Sequence, residues 1–173
     1  MSVRIYLESS FISFLTARPS SQVVGLARQE FSRNLWEMRG TAYTPHVSAL
    51  VLEEISRGDA QASALRLTAC VGLPLLPITD TAQTLAQRLM AIKAVPTNEP
   101  EDALHIAIAT INGMDYIASW NFVHLVGPKV KLNLQLKLRD LGFDPPTIAT
   151  PEEIVEELSG LPFPITNVQN NAS

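Results

Sequence analysis

Val3-Arg4-Ile5-Tyr6-Leu7-Glu8-Ser9-Ser10 opens the chain with a short apolar run that stops at an acid. Five residues rich in apolar and β-branched types read as a strand. The switch to Glu-Ser-Ser, the apolar residues that follow and the stop at Arg18-Pro19 read as a turn into a helix over 10–15. The same alternation recurs downstream. Residues 21–38 form an amphipathic helix stopped by Gly40, and 43–47 a second strand in spite of Pro45, a residue that central strands seldom tolerate. Ser48 caps a helix to about Arg57, and Gly58 ends it. Asp59 caps the next helix, to about Cys70. Residues 73–78 are apolar but carry Pro74 and Pro77, which marks an edge strand. A helix over 81–94, a loop over 96–100 and a helix over 101–112 ended by Gly113 come next. Residues 116–119 form the fourth strand, 130–141 a helix, and 147–149 the fifth strand. Thr150-Pro151-Glu152-Glu153 has the form of a capping box with proline in the first turn.

Strands that alternate with helices imply a parallel sheet covered on both faces. Five of them predict an α/β fold, a three-layer α/β/α sandwich. A length of 173 residues fits one domain, placed at 1–158. The Pro/Asn/Ser-rich remainder, 159–173, is expected to be a flexible tail.

Composition narrows the class. Hydrophobic residues make up 46% of the chain and mean hydropathy is +0.13, which excludes a disordered protein. Cys70, the single cysteine, has no partner in the chain and reads as a small core residue. That fits a reducing compartment. No apolar run approaches the roughly 20 residues a membrane span needs. The N-terminus lacks the shape of a signal peptide, so the cytoplasm is the expected location. A net charge of −4 argues against a protein that coats nucleic acid, which carries a basic footprint. It leaves room for a nuclease, whose metal-binding carboxylates lower the formal charge.

Three acids interrupt apolar segments: Glu8, Glu54 and Asp102. A carboxylate turned toward a core is costly unless something compensates it. A divalent cation would, and hard oxygen ligands suit Mg²⁺ or Mn²⁺. Such a centre suggests phosphodiester chemistry. In open α/β sheets ligands bind beyond the carboxyl ends of the strands. Glu8 follows strand one. Glu54 shares a helix face with Leu50 and Val51, and Glu53 falls off it. Asp102 starts a helix that runs antiparallel to the strands, so it lies at the same edge, as does Asn121 after strand four. Taken singly, each also fits a first-turn acid, a solvated helix residue or a cap. His105, one turn beyond Asp102, reads as core packing or as a hydrogen-bond partner of a ligand. His46 and His124 carry no usable pattern.

Together these residues resemble a PIN-domain protein of the kind found as VapC-type toxins. The resemblance covers roughly residues 3–150. It rests on Leu7-Glu8-Ser9-Ser10, Leu52-Glu53-Glu54-Ile55, Asp102-Ala103-Leu104-His105-Ile106-Ala107 and Ser119-Trp120-Asn121-Phe122. Glu8 stands where the family more often has Asp, and Asn121 where a fourth acid is common. The resemblance implies a PIN-like sheet of order 3-2-1-4-5 and a metal-dependent endoribonuclease, the toxin of a toxin–antitoxin pair. It assigns Glu8, Glu54, Asp102 and Asn121 to catalysis and Glu8, Asp102 and Glu54 to a Mg²⁺ or Mn²⁺ ion. Ser10 and His105 support them. Asn121 would offer a neutral oxygen to water, metal or phosphate. RNA is the implied substrate, with an antitoxin and a second copy of the chain as partners.

The alternative is a catalytically inactive PIN-like protein that binds protein or RNA. A haloacid-type phosphatase is disfavoured, because it needs an Asp nucleophile where Glu8 stands. Arg18, Arg57, Lys93, Lys129 and Lys131 are scattered basic residues, of which Lys129 and Lys131 are expected nearest the active edge.

Overall fold

β1 (Val3–Leu7) lies at the centre of the sheet, and Ile5, Tyr6 and Leu7 have no exposed surface. In a computed structural model that describes residues 2–160, α1 (Ser9–Thr16) and α2 (Val23–Glu37) follow it. Next come β2 (Tyr43–Ser48), α3 (Ala49–Ile55), α4 (Ala60–Ala69), β3 (Leu75–Leu76), α5 (Asp80–Ala91) and α6 (Pro100–Ile111). The chain continues through β4 (Tyr116–Ala118), α7 (Pro128–Asp140), β5 (Thr147–Ala149) and α8 (Pro151–Ser159). All strand pairs are parallel and the order is β3-β2-β1-β4-β5, as the resemblance implied. The expected tail lies outside the described residues from position 161 onward.

Pro45 sits inside β2, opposite Ile5 of β1, where a proline costs a ladder bond. The geometry removes the objection. Val47 donates its N–H to the Pro74 carbonyl, on the β3 side, at 3.1 Å. Alternate residues of a strand point their N–H groups the same way, so the missing N–H of Pro45 also faces that side. β3 pairs only with Val47 and Ser48, so no strand stands level with Pro45 there. β3 itself is shorter than the expected 73–78, since Pro74 and Pro77 bracket it and neither can donate.

Helix ends follow their caps. Ser48 accepts from the Val51 N–H and Asp59 from the Ala62 N–H, and Thr150 and Glu153 form the reciprocal capping box. Gly113, at φ +63°, turns α6 into β4 through the left-handed region that favours glycine. The core cluster runs from β1 through Phe11 and Ile12 of α1 and Leu85 and Leu89 of α5 to Ile106 and Ile108 of α6. Among the described residues no helix is long and apolar enough to cross a membrane.

The chain order changes direction beside β1: β2 and β3 extend the sheet to one side, β4 and β5 to the other. Loops leaving β1 and β4 therefore part at their carboxyl ends, and a crevice opens there.

Candidate active site

Glu8 occupies this crevice. Its N–H continues the β1–β4 ladder by donating to the Ala118 carbonyl at 3.1 Å, and its own carbonyl accepts from the Phe11 N–H to start α1. The residue is thus fixed at both ends and is 4% exposed. Ser9 Oγ donates to Oε1 at 2.6 Å, while Ser10 and Ser119 donate to Oε2. Ser10 also accepts from the Trp120 N–H at 2.8 Å, and Ser119 from the Asn121 N–H at 3.0 Å. Three hydroxyls satisfy one buried carboxylate and tie it to the loop after β4.

Glu54 reaches the crevice from α3. Its Oε2 lies 2.9 Å from His105 Nε2. The other ring nitrogen, Nδ1, lies 2.8 Å from Tyr6 Oη, which in turn lies 2.7 Å from Ser48 Oγ. Tyr6 and Glu8 are two apart along extended backbone, with Glu8 just past the end of β1, and so share a face. This chain runs from Glu54 through α6, β1 and β2 back to the cap of α3. Burial disfavours a charge on His105, but the bond from Glu54 and the carboxylates of Glu8, Glu54 and Asp102 outweigh it. Its pKa stands above the ordinary histidine value. A protonated ring donates from both nitrogens and has no lone pair for a metal. That state suits a residue that holds Glu54 in place. Glu53 instead pairs with Arg57, which also binds Glu101, so Arg57 is engaged on the surface.

Asp102 lies in the first turn of α6. Its Oδ1 accepts from Asn121 Nδ2 at 3.2 Å, and its Oδ2 is buried with no hydrogen-bond partner among the described residues. Burial, with the charges of Glu8 and Glu99, pushes its pKa up to about 6, against the opposing pull of His124 and His105. Asn121 Oδ1 is taken by the His124 N–H at 3.1 Å, which fixes the amide with its NH₂ toward Asp102. Asn121 therefore acts here as a donor that orients Asp102, and the oxygen expected from the sequence to face water, metal or phosphate carries one backbone N–H. His124, which carried no sequence pattern, lies 3.6 Å from Glu99.

Among the described residues two groups bring three potential ligand atoms within 4.8 Å of one another: Glu8, Glu54 and His105, and Glu99, Asp102 and His124. The first joins two of the expected metal ligands. Asp102 belongs to the second and is linked to Glu8 and His105 by charge. An orphaned, buried carboxylate oxygen among other acids fits a hard divalent cation. Glu99, Ser119 and Tyr6 went unread as site residues. Only Tyr6, in register with Glu8, left a signal. Lys131, expected near this edge, bonds both carboxylate oxygens of Glu153 at 2.9 Å, in the first turn of α8 after β5, and Lys129 is exposed.

No protein-family model matches the chain, and neither does any curated protein. Among solved structures it is similar to the crystal structure of Mycobacterium tuberculosis VapC20, a sarcin-ricin loop cleaving toxin. The TM-score is 0.52 at 15% identity, over 69% of this chain and 91% of that one. At that identity the likeness speaks to the fold, and the fold is the PIN-like one the motifs implied.

Proposed function

We propose that this protein is an endoribonuclease dependent on Mg²⁺ or Mn²⁺, the toxin of a toxin–antitoxin pair, working in the cytoplasm. The observation that carries the reading is Asp102 Oδ2, buried without a hydrogen-bond partner among the described residues, with the charges of Glu8 and Glu99 acting on it at the carboxyl edge of the sheet. Clustered carboxylates repel one another unless one protonates or a cation binds. The shared fold with VapC20, which cleaves the sarcin-ricin loop, supports RNA as substrate. An antitoxin and a second copy of the chain are the partners that go with this reading.

Glu8, Asp102 and Glu54 would hold the cation. When bound, it supplies Lewis acidity that activates water and offsets charge on the scissile phosphate. The remaining work falls to the chain. Ser9, Ser10 and Ser119 keep Glu8 in one rotamer. His105 and Tyr6 brace Glu54, and Asn121 turns Asp102 so that Oδ2 stays free. Preorganised ligands of this kind need no rearrangement when substrate arrives.

A second reading is an inactive PIN-like binding module. The bonding of Glu8 and Glu54 favours it, since both are already partnered within the chain. One experiment separates the two. The protein and its Asp102→Asn variant, each shown free of antitoxin, are incubated with a mixed RNA pool in Mn²⁺, Mg²⁺ or EDTA. Cleavage by the unmutated protein alone, and only with metal, is the expected result. Cleavage that survives both EDTA and the substitution would refute the proposal, and no cleavage in any condition favours the binding module.

A further inference from the structure

Beside the carboxylates lies an aromatic cluster that the proposed chemistry does not use. Trp120 and Phe122 flank Asn121, with ring centroids 6.3 Å apart, and Phe14 of α1 stands edge-on to Trp120 at 6.0 Å. The Arg28 guanidinium sits 4.8 Å from the Phe122 centroid, 5.6 Å from Phe14 and 5.7 Å from Trp120. Trp120 is 6% exposed and its indole N–H donates to Ser32 Oγ, so it is anchored. Phe122 differs. Even with Arg28 and Trp120 against it, 45% of the residue is exposed, and Val123 next to it is 74% exposed. Among the described residues no carboxylate pairs with Arg28.

A cation–π cluster could exist only to close α2 against the loop after β4. A purely structural cluster would bury its outer ring, however, and would not leave its cation without a counter-ion. The ledge is also coupled to the site. Phe122 adjoins Asn121, which orients Asp102, and Trp120 donates its N–H to Ser10, which binds Glu8. An open aromatic face and an unpaired guanidinium next to phosphodiester chemistry match an unpaired base and its phosphate.

Resting on the nuclease reading above, we infer that Phe122 and Arg28 form a stacking subsite for an unpaired nucleobase next to the scissile phosphate. Bases within a duplex are stacked on their neighbours and cannot offer a face to the ring.

The test measures binding and cleavage separately. Binding of a short fluorescein-labelled single-stranded RNA, and of the same strand in a duplex, is followed by anisotropy in Ca²⁺. Cleavage is followed in Mn²⁺. Phe122→Ala should weaken single-strand binding about tenfold, with Phe122→Tyr retaining most of the affinity and the duplex indifferent to both. Arg28→Ala should lower the slope of log affinity against log salt by about 0.7. If unmutated protein binds and cleaves RNA while Phe122→Ala binds equally well, the subsite is refuted and the nuclease reading stands. If Phe122→Ala alters sedimentation but not RNA affinity, the ledge is a contact between copies of the chain, and the proposal falls. If the unmutated protein neither binds nor cleaves RNA, both fall together.

Discussion

Replacing Asp102 with Asn should stabilise the metal-free protein while abolishing its activity. Burial and neighbouring acids raise the Asp102 pKa from an ordinary 3.8 to about 6. About two pH units correspond to about 3 kcal/mol of unfavourable charging above pH 6. Asp102 is half-buried, and solvent screening reduces that to about 1.5 kcal/mol. Asparagine keeps the oxygen that accepts from Asn121 and removes the charge. For a chain of this size the gain is about 3–6 °C in Tm. The pH dependence has a definite sign. A carboxyl group with a raised folded pKa stabilises the native state below its unfolded pKa, and that contribution is lost as pH rises through the folded value. The advantage of the variant should therefore be absent near pH 4, grow through pH 6 and level off above it. Thermal unfolding in EDTA across this range measures it. Adding Mn²⁺ at about 100 times its Kd should raise unmutated protein by about 2.7 kcal/mol and the variant by much less. Equal stability of the two proteins at pH 8 in EDTA, with parallel pH profiles, would sink the argument that Asp102 is held at a cost for a cation.

Other expectations follow from the same network. In metal-free protein the His105 ring should titrate above the ordinary 6.5, and Glu54→Gln should bring it down; nitrogen-detected NMR reads both. Its stabilising contribution is present below pH 6.5 and lost as pH rises through its own raised pKa, so a titration at or below 6.5 contradicts the charged pair. Tyr6→Phe strips the partner from buried His105 Nδ1 and should cost about 1–3 kcal/mol in chemical denaturation. Ser10→Ala removes a donor to Glu8 and an acceptor for the Trp120 N–H; a loss of about 1–3 kcal/mol is expected, and none would show that Ser9 and Ser119 suffice. Thr150→Ala breaks the capping box of α8 and should lower stability by about 1 kcal/mol without changing RNA cleavage.

The sequence by itself determined what is local. Alternating apolar runs and caps at Ser48, Asp59 and Thr150 set the elements, because strand and helix periods and first-turn hydrogen bonds involve residues only two to four apart. The order of acids along the chain carried the PIN resemblance, and β/α alternation placed Glu8, Glu54, Asp102 and Asn121 at one edge. Tertiary structure decided what depends on residues about 20 to 110 positions apart. Pro45 is tolerated only because β3 stops short of it. The same holds for the division of the acids, with Glu8 and Glu54 gathered around His105 and Asp102 turned toward Asn121 and His124. Asn121 was brought to donate to Asp102, and Lys131 was brought to Glu153. Hydrogen-bond direction and charge pairing depend on ångström distances between segments that no periodicity encodes, and those distances are what separate a ligand from the residue that holds it.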